Sequence, residues 1–250
     1  MPSAEHEGIT GVTFDSDGHR LLGTLYLARG CAPKPTMLLL HGCPGLQQNA
    51  DLAVALRDRG WNSLVFHYRG CWGSGGDYDL RTIPRDVAAA VDHLQDGGYP
   101  GVDPGRLAVA GHSLGGWAAI LAAAADPRLQ AVAVFGAAVD LGALDLDASQ
   151  IEHELTRFLA TTPEEFIRQR DEVTAHLDPV GAVRSISPRP LLIVHGTDDR
   201  WIPAEHARRL HAHAGEPSRY VEIDGANHDF AWHRGQLREL VCSWLDGTDV

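Results

Sequence analysis

A serine between two glycines, Ser113, is the residue of this sequence best placed to act as a nucleophile. It lies in Gly111-His112-Ser113-Leu114-Gly115, after an apolar run at 106–110 and before an Ala- and Leu-rich run at 117–125. These runs predict a buried strand and a helix, and a serine on the sharp turn between them has its hydroxyl exposed. The glycines relieve the steric crowding of such a turn. The pattern indicates nucleophilic attack by a hydroxyl.

A base must accept the serine proton, because the hydroxyl is almost fully protonated at neutral pH. His228 is the candidate among the 14 histidines, since it follows the short strand-like run 220–223, in Asp224-Gly225-Ala226-Asn227-His228. An imidazole titrates close to neutral pH and can carry the proton. A carboxylate is then needed to orient the ring and to stabilise the imidazolium that forms.

Candidate carboxylates follow another buried-strand run, residues 190–194, which continues into His195-Gly196-Thr197-Asp198-Asp199. Asp198 and Asp199 both follow that strand, and Asp140, after the preceding strand, is a third candidate. The chain order of serine, acid and histidine, with the last two just beyond strands, is that of the α/β-hydrolases.

Strands alternate with helices along most of the chain, which predicts an α/β fold with a mostly parallel central sheet and helices on both faces. At the N-terminus, the runs 9–15 and 20–27 around a Ser-Asp-Gly turn predict a hairpin instead. The other predicted strands are 36–40, 61–68, 106–110, 129–135, 190–194 and 220–223, and predicted helices include 50–59, 84–94 and 117–125. All 250 residues are expected to form a single domain, residues 1–250.

Five motifs together resemble those of a small bacterial α/β-hydrolase of the esterase and dienelactone-hydrolase kind, related to the prolyl oligopeptidase catalytic domain. The matching segments are His41-Gly42-Cys43-Pro44-Gly45, Tyr68-Arg69-Gly70, Gly111-His112-Ser113-Leu114-Gly115-Gly116, His195-Gly196-Thr197-Asp198-Asp199 with Pro203, and Gly225-Ala226-Asn227-His228. They extend from residue 41 to residue 228, so the resemblance covers nearly the whole chain. It implies the α/β-hydrolase fold and a serine hydrolase that needs no cofactor and no metal.

The resemblance also implies which residues act. In the family motif the acid stands four residues beyond the His-Gly histidine, with a proline four further on, and this favours Asp199 over Asp198 and Asp140. One oxyanion donor is expected to be the backbone N–H of Leu114, directly after the nucleophile at a helix start. The other is implied by resemblance to be the N–H of Cys43. Two donors fixed in advance stabilise the developing oxyanion.

The alternation of strands and helices breaks in residues 140–187, which are more polar and helical in pattern. Thr162 and Glu165 have the spacing of a capping box, which predicts a helix start. An insertion at this place resembles the small helical cap that covers the active site of many α/β-hydrolases. The alternative is a surface excursion without a role.

The glycine-rich segment 70–76 lacks the Gly-Lys-Ser/Thr ending of a phosphate-binding loop. We interpret it as a flexible loop beside the site, in which Trp72 either lines the substrate pocket or packs against the sheet edge. His206, His211 and His213 lie in one helical stretch, but no carboxylate or cysteine completes a ligand set. No metal site is expected there.

The composition limits the kinds of partner that we expect this protein to bind. The 33 acidic against 21 basic residues, net charge −12, argue against nucleic-acid binding. No apolar stretch has the length of a membrane span, and residues 1–10 lack the pattern of a signal peptide. The four cysteines have neither disulfide-framework nor metal spacing. We expect a cytoplasmic monomer or homodimer without membrane or nucleic-acid partners.

The sequence therefore predicts a carboxylesterase that cleaves a small-molecule ester of a small or medium carboxylic acid through an acyl-enzyme. A peptidase or amidase and a thioesterase of the same fold are alternatives, because the fold alone does not decide the substrate. A non-catalytic small-molecule binding protein is an alternative of a different class.

Overall fold

A computed structural model describes residues 8–96, 99–144, 146, 148–248 and 250. Eight strands form one sheet in the order β1-β2-β4-β3-β5-β6-β7-β8. The strands are β1 (Gly8–Ser16), β2 (His19–Leu27), β3 (Lys34–Leu40), β4 (Asn62–Phe66), β5 (Val102–His112), β6 (Leu129–Phe135), β7 (Leu191–Gly196) and β8 (Ser218–Ile223). The first two form the predicted antiparallel hairpin, and β2 is also antiparallel to β4. All other pairs are parallel, so the predicted mostly parallel sheet is confirmed.

Helices cover both faces of this sheet. They are α1 (Ala50–Asp58), α2 (Ile83–Asp96), α3 (Leu114–Ala125), α4 (Ala148–Gln150), α5 (Pro163–His176), α6 (Pro179–Ala182), α7 (Glu205–His213) and α8 (Arg234–Leu245). Side chains alternate along each buried strand. In β3, Met37 and Leu39 belong to the core shared with α1 and α8, whereas Leu38 and Leu40 belong to the core shared with α2 and α3. The central strands β3, β4, β6 and β7 are buried on both sides, as their near-continuous apolar runs predict.

The order of the parallel strands reverses between β3 and β5. The helix after β3 packs on one face and the helix after β5 on the other. The loops that leave the carboxyl ends of these two strands therefore diverge and open a crevice, which is where open α/β sheets bind their ligands. Ser113 directly follows the end of β5, so the fold places it at this crevice.

Residues 140–187 form helices between β6 and β7. After α4 come a π-helical turn, Ile151–Leu155, and a 3₁₀ turn, Thr156–Phe158, before the longer α5. The hydroxyl of Thr162 accepts a hydrogen bond from the Glu165 amide at 3.2 Å, so the predicted helix cap is confirmed. The Glu165 carboxylate pairs with Arg168 (2.6 Å). Residues 145 and 147 of this segment lie outside the described residues.

Among the described residues, no helix combines the length and the apolar character needed to cross a membrane. Residues 1–7, on which part of the cytoplasmic expectation depends, lie outside the described residues.

Candidate active site

The Ser113 backbone has a strained conformation, with φ 56° and ψ −120°. A positive φ is uncommon outside glycine and marks a tight turn held by its surroundings. Gly111 and Gly115 permit it, because a Cβ at either position would overlap backbone atoms of the turn or of the end of β3. Two hydrogen bonds hold the turn. The Ser113 amide donates to the Phe135 carbonyl (3.1 Å), and the Ser113 carbonyl accepts from the Ala138 amide (3.2 Å).

His228 and Asp199 form a close pair beside this turn. The Nδ1 atom of His228 lies 2.7 Å from Oδ2 of Asp199, although 29 residues separate them. The other carboxylate oxygen accepts the amides of Trp201 (3.0 Å) and Ile202 (2.8 Å). The Asp199 side chain is fully buried and that of His228 is 14% exposed. The carboxylate is thus held from both sides, while the far edge of the imidazole remains accessible.

The other two carboxylates considered from the sequence lie elsewhere. Asp198 is exposed and contacts Arg200 at 3.4 Å. Asp140 pairs with Arg209 (3.4 Å) and accepts the Ala143 amide (3.2 Å). Of the three candidates, the structure brings only Asp199 to His228.

The charge on Asp199 is favoured by its surroundings. Burial alone would raise the pKa of Asp199, but the hydrogen bond and charge of His228, with the Ile202 amide and nearby His195, outweigh it and leave the pKa lowered. The carboxyl group is therefore ionised at neutral pH and can stabilise a positive charge on His228.

The expected oxyanion donors lie on the two loops that flank Ser113. Leu114 is the first residue of α3, where an amide has no partner within the helix. Among the described residues neither the Leu114 amide nor the Cys43 amide has a hydrogen-bond partner. The loops approach closely, because a side chain at Gly42 would come within 2.9 Å of the Ser113 Cβ. Both amides are therefore free to donate to a ligand atom near Ser113.

The thiol of Cys43 is not a competing nucleophile. Burial raises its pKa to about 12, against a smaller opposite effect of the Tyr78 hydroxyl. The thiolate, which is the reactive form of cysteine, is scarce at neutral pH under these conditions. Cys43 can contribute to the site only through its backbone.

Ser113 and His228 line one cavity of about 690 Å³ together with Cys43 and Leu114. No hydrogen bond joins Ser113 to His228 among the described residues, although such contacts often form only when substrate binds. Residues 140–187 contribute six apolar side chains to the remaining wall: Leu141, Leu144, Leu146, Leu155, Phe158 and Phe166. His153, Glu154 and Arg170 are the polar contribution of the same segment.

Trp72, for which the sequence left open a place in the pocket or against the sheet edge, is not among the described residues that line this cavity. Its indole N–H donates to the Pro44 carbonyl at 2.6 Å, and its ring stacks on Phe158 at 5.4 Å. Pro44 and Phe158 do line the cavity. Trp72 therefore packs against residues that line the cavity, and it connects the loop after β3 to the helical segment 140–187. Sequence spacing does not reveal these contacts.

The Tyr68-Arg69-Gly70 motif anchors the loop that carries Trp72. Arg69 donates through Nη2 to Oδ1 of Asp86 (2.7 Å) and through its amide to Oδ2 (2.9 Å). Asp86 is fully buried and Arg69 nearly so. Segment 70–76 thus begins next to a buried ion pair that fixes it to α2.

Two buried histidines near the pair did not emerge from the sequence as functional residues. His112 and His195 occur in the recognised motifs, but only as neighbours of Ser113 and Asp199. The structure places the His112 ring 4.7 Å from that of His228 and the His195 Nε2 atom 3.4 Å from Asp199 Oδ2. Within the described ranges, no group of three or more His, Cys, Asp or Glu side chains could hold a metal ion.

Comparison with known proteins gives a family match over most of the chain. The sequence profile of the prolyl oligopeptidase family matches residues 48–247. The uncharacterized protein Rv2307c of Mycobacterium tuberculosis is 30% identical over 216 residues, which are 85% of this chain and 69% of that protein. Esterase LipC of the same organism is 29% identical over 225 residues, 79% of this chain and 53% of LipC.

Solved structures agree on the fold. Est1E from Butyrivibrio proteoclasticus, in its complex with ferulic acid, has a TM-score of 0.78 at 22% identity, with 94% of this chain and 97% of Est1E covered. A likeness at this identity shows the fold, which is that of the α/β-hydrolases. The profile match and the relatives then place the chain within a family of hydrolases: it belongs to the prolyl oligopeptidase family.

Proposed function

We propose that this protein is a serine esterase that cleaves carboxylic esters of small or medium acyl groups through an acyl-enzyme. The observation that carries the proposal is the Asp199–His228 pair, joined at 2.7 Å, whose histidine lines the same cavity as a serine on a strained turn. In this assignment Ser113 is the nucleophile, His228 the general base and acid, and Asp199 the acid of the triad.

The reaction follows from this assignment. His228 takes the Ser113 proton at Nε2 while the serine oxygen attacks the ester carbonyl carbon, and Asp199 stabilises the imidazolium through Nδ1. The amides of Leu114 and Cys43 donate to the oxyanion. The C–O bond to the alcohol then breaks and His228 returns its proton to the leaving oxygen. Water, deprotonated by His228, then attacks the acyl carbon. The bond from that carbon to the Ser113 oxygen breaks, His228 returns its proton to this oxygen, and the acid leaves.

The cavity supports a mostly apolar substrate. Leucine and phenylalanine side chains dominate its wall, and burial of an acyl chain against them would stabilise binding by roughly 0.8 kcal/mol per methylene. The name of one similar protein also favours esters, since LipC is an esterase. No cofactor enters the proposed reaction.

Residues 140–187 act as a small cap in this proposal, within a single catalytic domain. The support for this role is that the segment contributes many of the apolar side chains in the cavity wall, among them Leu141 and Phe166 of α5. Such a cap excludes water and sets the length of the acyl group that fits.

Peptide or amide hydrolysis is a second candidate, because the family is named for an oligopeptidase. Thioester hydrolysis is a third, since thiohydrolase apmlB of Arthrinium phaeospermum is 32% identical over 120 residues. These reactions use the same nucleophile and differ only in the leaving group, so substrate choice has to distinguish them.

The test measures hydrolysis of p-nitrophenyl esters from acetate to decanoate by the native protein, by Ser113→Ala and by Ser243→Ala, which changes an exposed serine on α8. We expect turnover by the native and Ser243→Ala proteins, loss in Ser113→Ala, and an optimum at a short or medium chain. Turnover of thioesters or p-nitroanilides alone would replace the ester assignment. A folded protein inactive on all three classes favours the binding-protein alternative.

A further inference from the structure

His112 connects the serine turn to the backbone of the base. It immediately precedes Ser113, and its Nε2 atom lies 2.9 Å from the carbonyl oxygen of His228, a residue 116 positions away. The ring is 2% exposed and lies between His228 and Phe135, with ring centroids 4.7 and 5.9 Å away. One hydrogen bond thus ties the loop that carries the base to the strand that carries the nucleophile.

His195 forms a comparable bond to the backbone of the turn that carries Asp199. Its Nε2 atom lies 2.8 Å from the Ile202 carbonyl oxygen, and the Ile202 amide in turn donates to Asp199 Oδ1 at 2.8 Å. The ring is fully buried, and its Nε2 atom is 3.4 Å from Asp199 Oδ2. The bond closes the turn that presents the Asp199 carboxylate to His228.

Both rings are neutral and have a defined tautomer. A carbonyl oxygen can only accept, so Nε2 carries the hydrogen in each ring. The Nδ1 atoms of His112 and His195 are buried without a hydrogen-bond partner among the described residues, so protonation there gains no acceptor. Burial accordingly lowers the pKa of His112 to about 3 and lowers that of His195 as well. Neither ring is placed to carry a proton in the reaction.

We propose that His112 and His195 are positioning residues, which hold the His228 and Asp199 loops through their Nε2–H bonds to the carbonyls of His228 and Ile202. This inference rests on the proposed esterase function. The Asp199–His228 contact forms between two loops from different strands, so its length depends on both anchors. A misplacement of about 1 Å in such a constellation costs rates on the order of 100-fold.

A rival explanation is that the two rings merely fill space in the core. The two explanations differ over the donor: glutamine can place an amide N–H near the position of Nε2, whereas leucine fills the volume without a donor. His93 offers a matched control, because its Nε2 atom lies 2.7 Å from the Tyr99 hydroxyl on a part of the fold away from the cavity.

The experiment compares the native protein with H112L, H112Q, H195L, H195Q and H93L. Two quantities are measured: kcat and KM for a p-nitrophenyl ester, and the low-field proton NMR resonance of the Asp199–His228 hydrogen bond. We expect the leucine variants of His112 and His195 to lose kcat about 10- to 100-fold with little change in KM, and to shift or lose the resonance. H112Q and H195Q should recover most of the native kcat and of the native resonance, and H93L should match the native protein in both quantities.

The proposal is overturned if folded H112L and H195L keep native kcat and resonance, or if the glutamine variants are no better than the leucine variants. Where a leucine variant does not fold, a folded glutamine variant decides: native-like kcat and resonance support the proposal, and their loss contradicts it. If the native protein hydrolyses no ester, the resonance still tests the anchors, so failure of the proposed function is distinguishable from failure of this inference.

Discussion

The Asp199 carboxylate is shared between His228 and its own turn. One oxygen lies 2.7 Å from His228 Nδ1, and the other accepts the amide of Ile202 at 2.8 Å. A carboxylate held in this way cannot rotate without loss of both sets of bonds. Its orientation is therefore set before substrate binds, which favours catalysis by a preorganised site.

Replacement of Asp199 by asparagine should lower kcat on the order of 10³- to 10⁴-fold. The amide can donate to Nδ1 and stabilise the wrong tautomer of His228, and it carries no charge to stabilise the imidazolium. Steady-state ester hydrolysis measures the effect. The neighbouring Asp198→Asn is the matched control, since the Asp198 side chain is exposed and pairs with Arg200 instead of His228. A larger loss in Asp198→Asn than in Asp199→Asn would contradict the assignment of the acid.

The free energy of unfolding should decrease as the pH falls below neutrality, partly through buried histidines. Burial lowers the pKa of His41 from 6.5 to about 4 and that of His112 to about 3. Between these values and 6.5 the unfolded chain binds more protons than the folded one, so stability rises with pH and is lost on acidification. Each histidine contributes a slope of roughly 1 kcal/mol per pH unit in this window.

Urea denaturation at pH 7, 6 and 5 measures this slope. His112→Gln removes one titrating group without a change of the expected hydrogen bond, so its curve should be flatter than the native curve by roughly 1 kcal/mol per pH unit. Parallel curves for the two proteins would contradict the neutral, buried state of His112.

Alkylation of the accessible cysteine thiols should leave ester hydrolysis unchanged. The pKa of Cys43 is raised to about 12 by burial, while Cys31 is exposed. Iodoacetamide at pH 7.5 should therefore modify Cys31 before Cys43, as peptide mass spectrometry can follow, with ester hydrolysis retained. Cys43→Ala should also keep kcat within about threefold, since the alanine retains the backbone N–H. Rapid inactivation that Cys43→Ala abolishes would show instead that the thiol takes part.

A larger side chain in the cavity wall should shorten the preferred acyl chain. Leu144 is half-buried and lines the cavity from the segment 140–187. Leu144→Trp should lower kcat/KM for octanoate esters about 10-fold or more while acetate hydrolysis changes little, because each methylene excluded from the wall forfeits roughly 0.8 kcal/mol. The acetate ester serves as the internal control. An equal loss on both esters would place Leu144 outside the acyl path.

The local features of this fold could be read from the sequence because their causes lie within a few residues. The turn at Ser113 follows from the apolar run before Gly111 and from the glycines on either side of the serine. The start of α5 follows from the spacing of Thr162 and Glu165. The alternation of apolar runs likewise indicated the hairpin and the parallel sheet, since burial on one or both faces follows from periodicity.

Contacts between distant segments were decided only by the tertiary structure. The contact of Asp199 with His228, the bond of Trp72 to Pro44 and the bond of His112 to the His228 carbonyl each join loops that no local pattern relates. They depend on the order in which the strands from β4 through β3, β5, β6 and β7 to β8 lie side by side in the sheet. Turns and strands follow from the sequence because they depend on neighbouring residues. Which loop ends meet follows from the packed sheet, because that depends on the relative placement of whole elements.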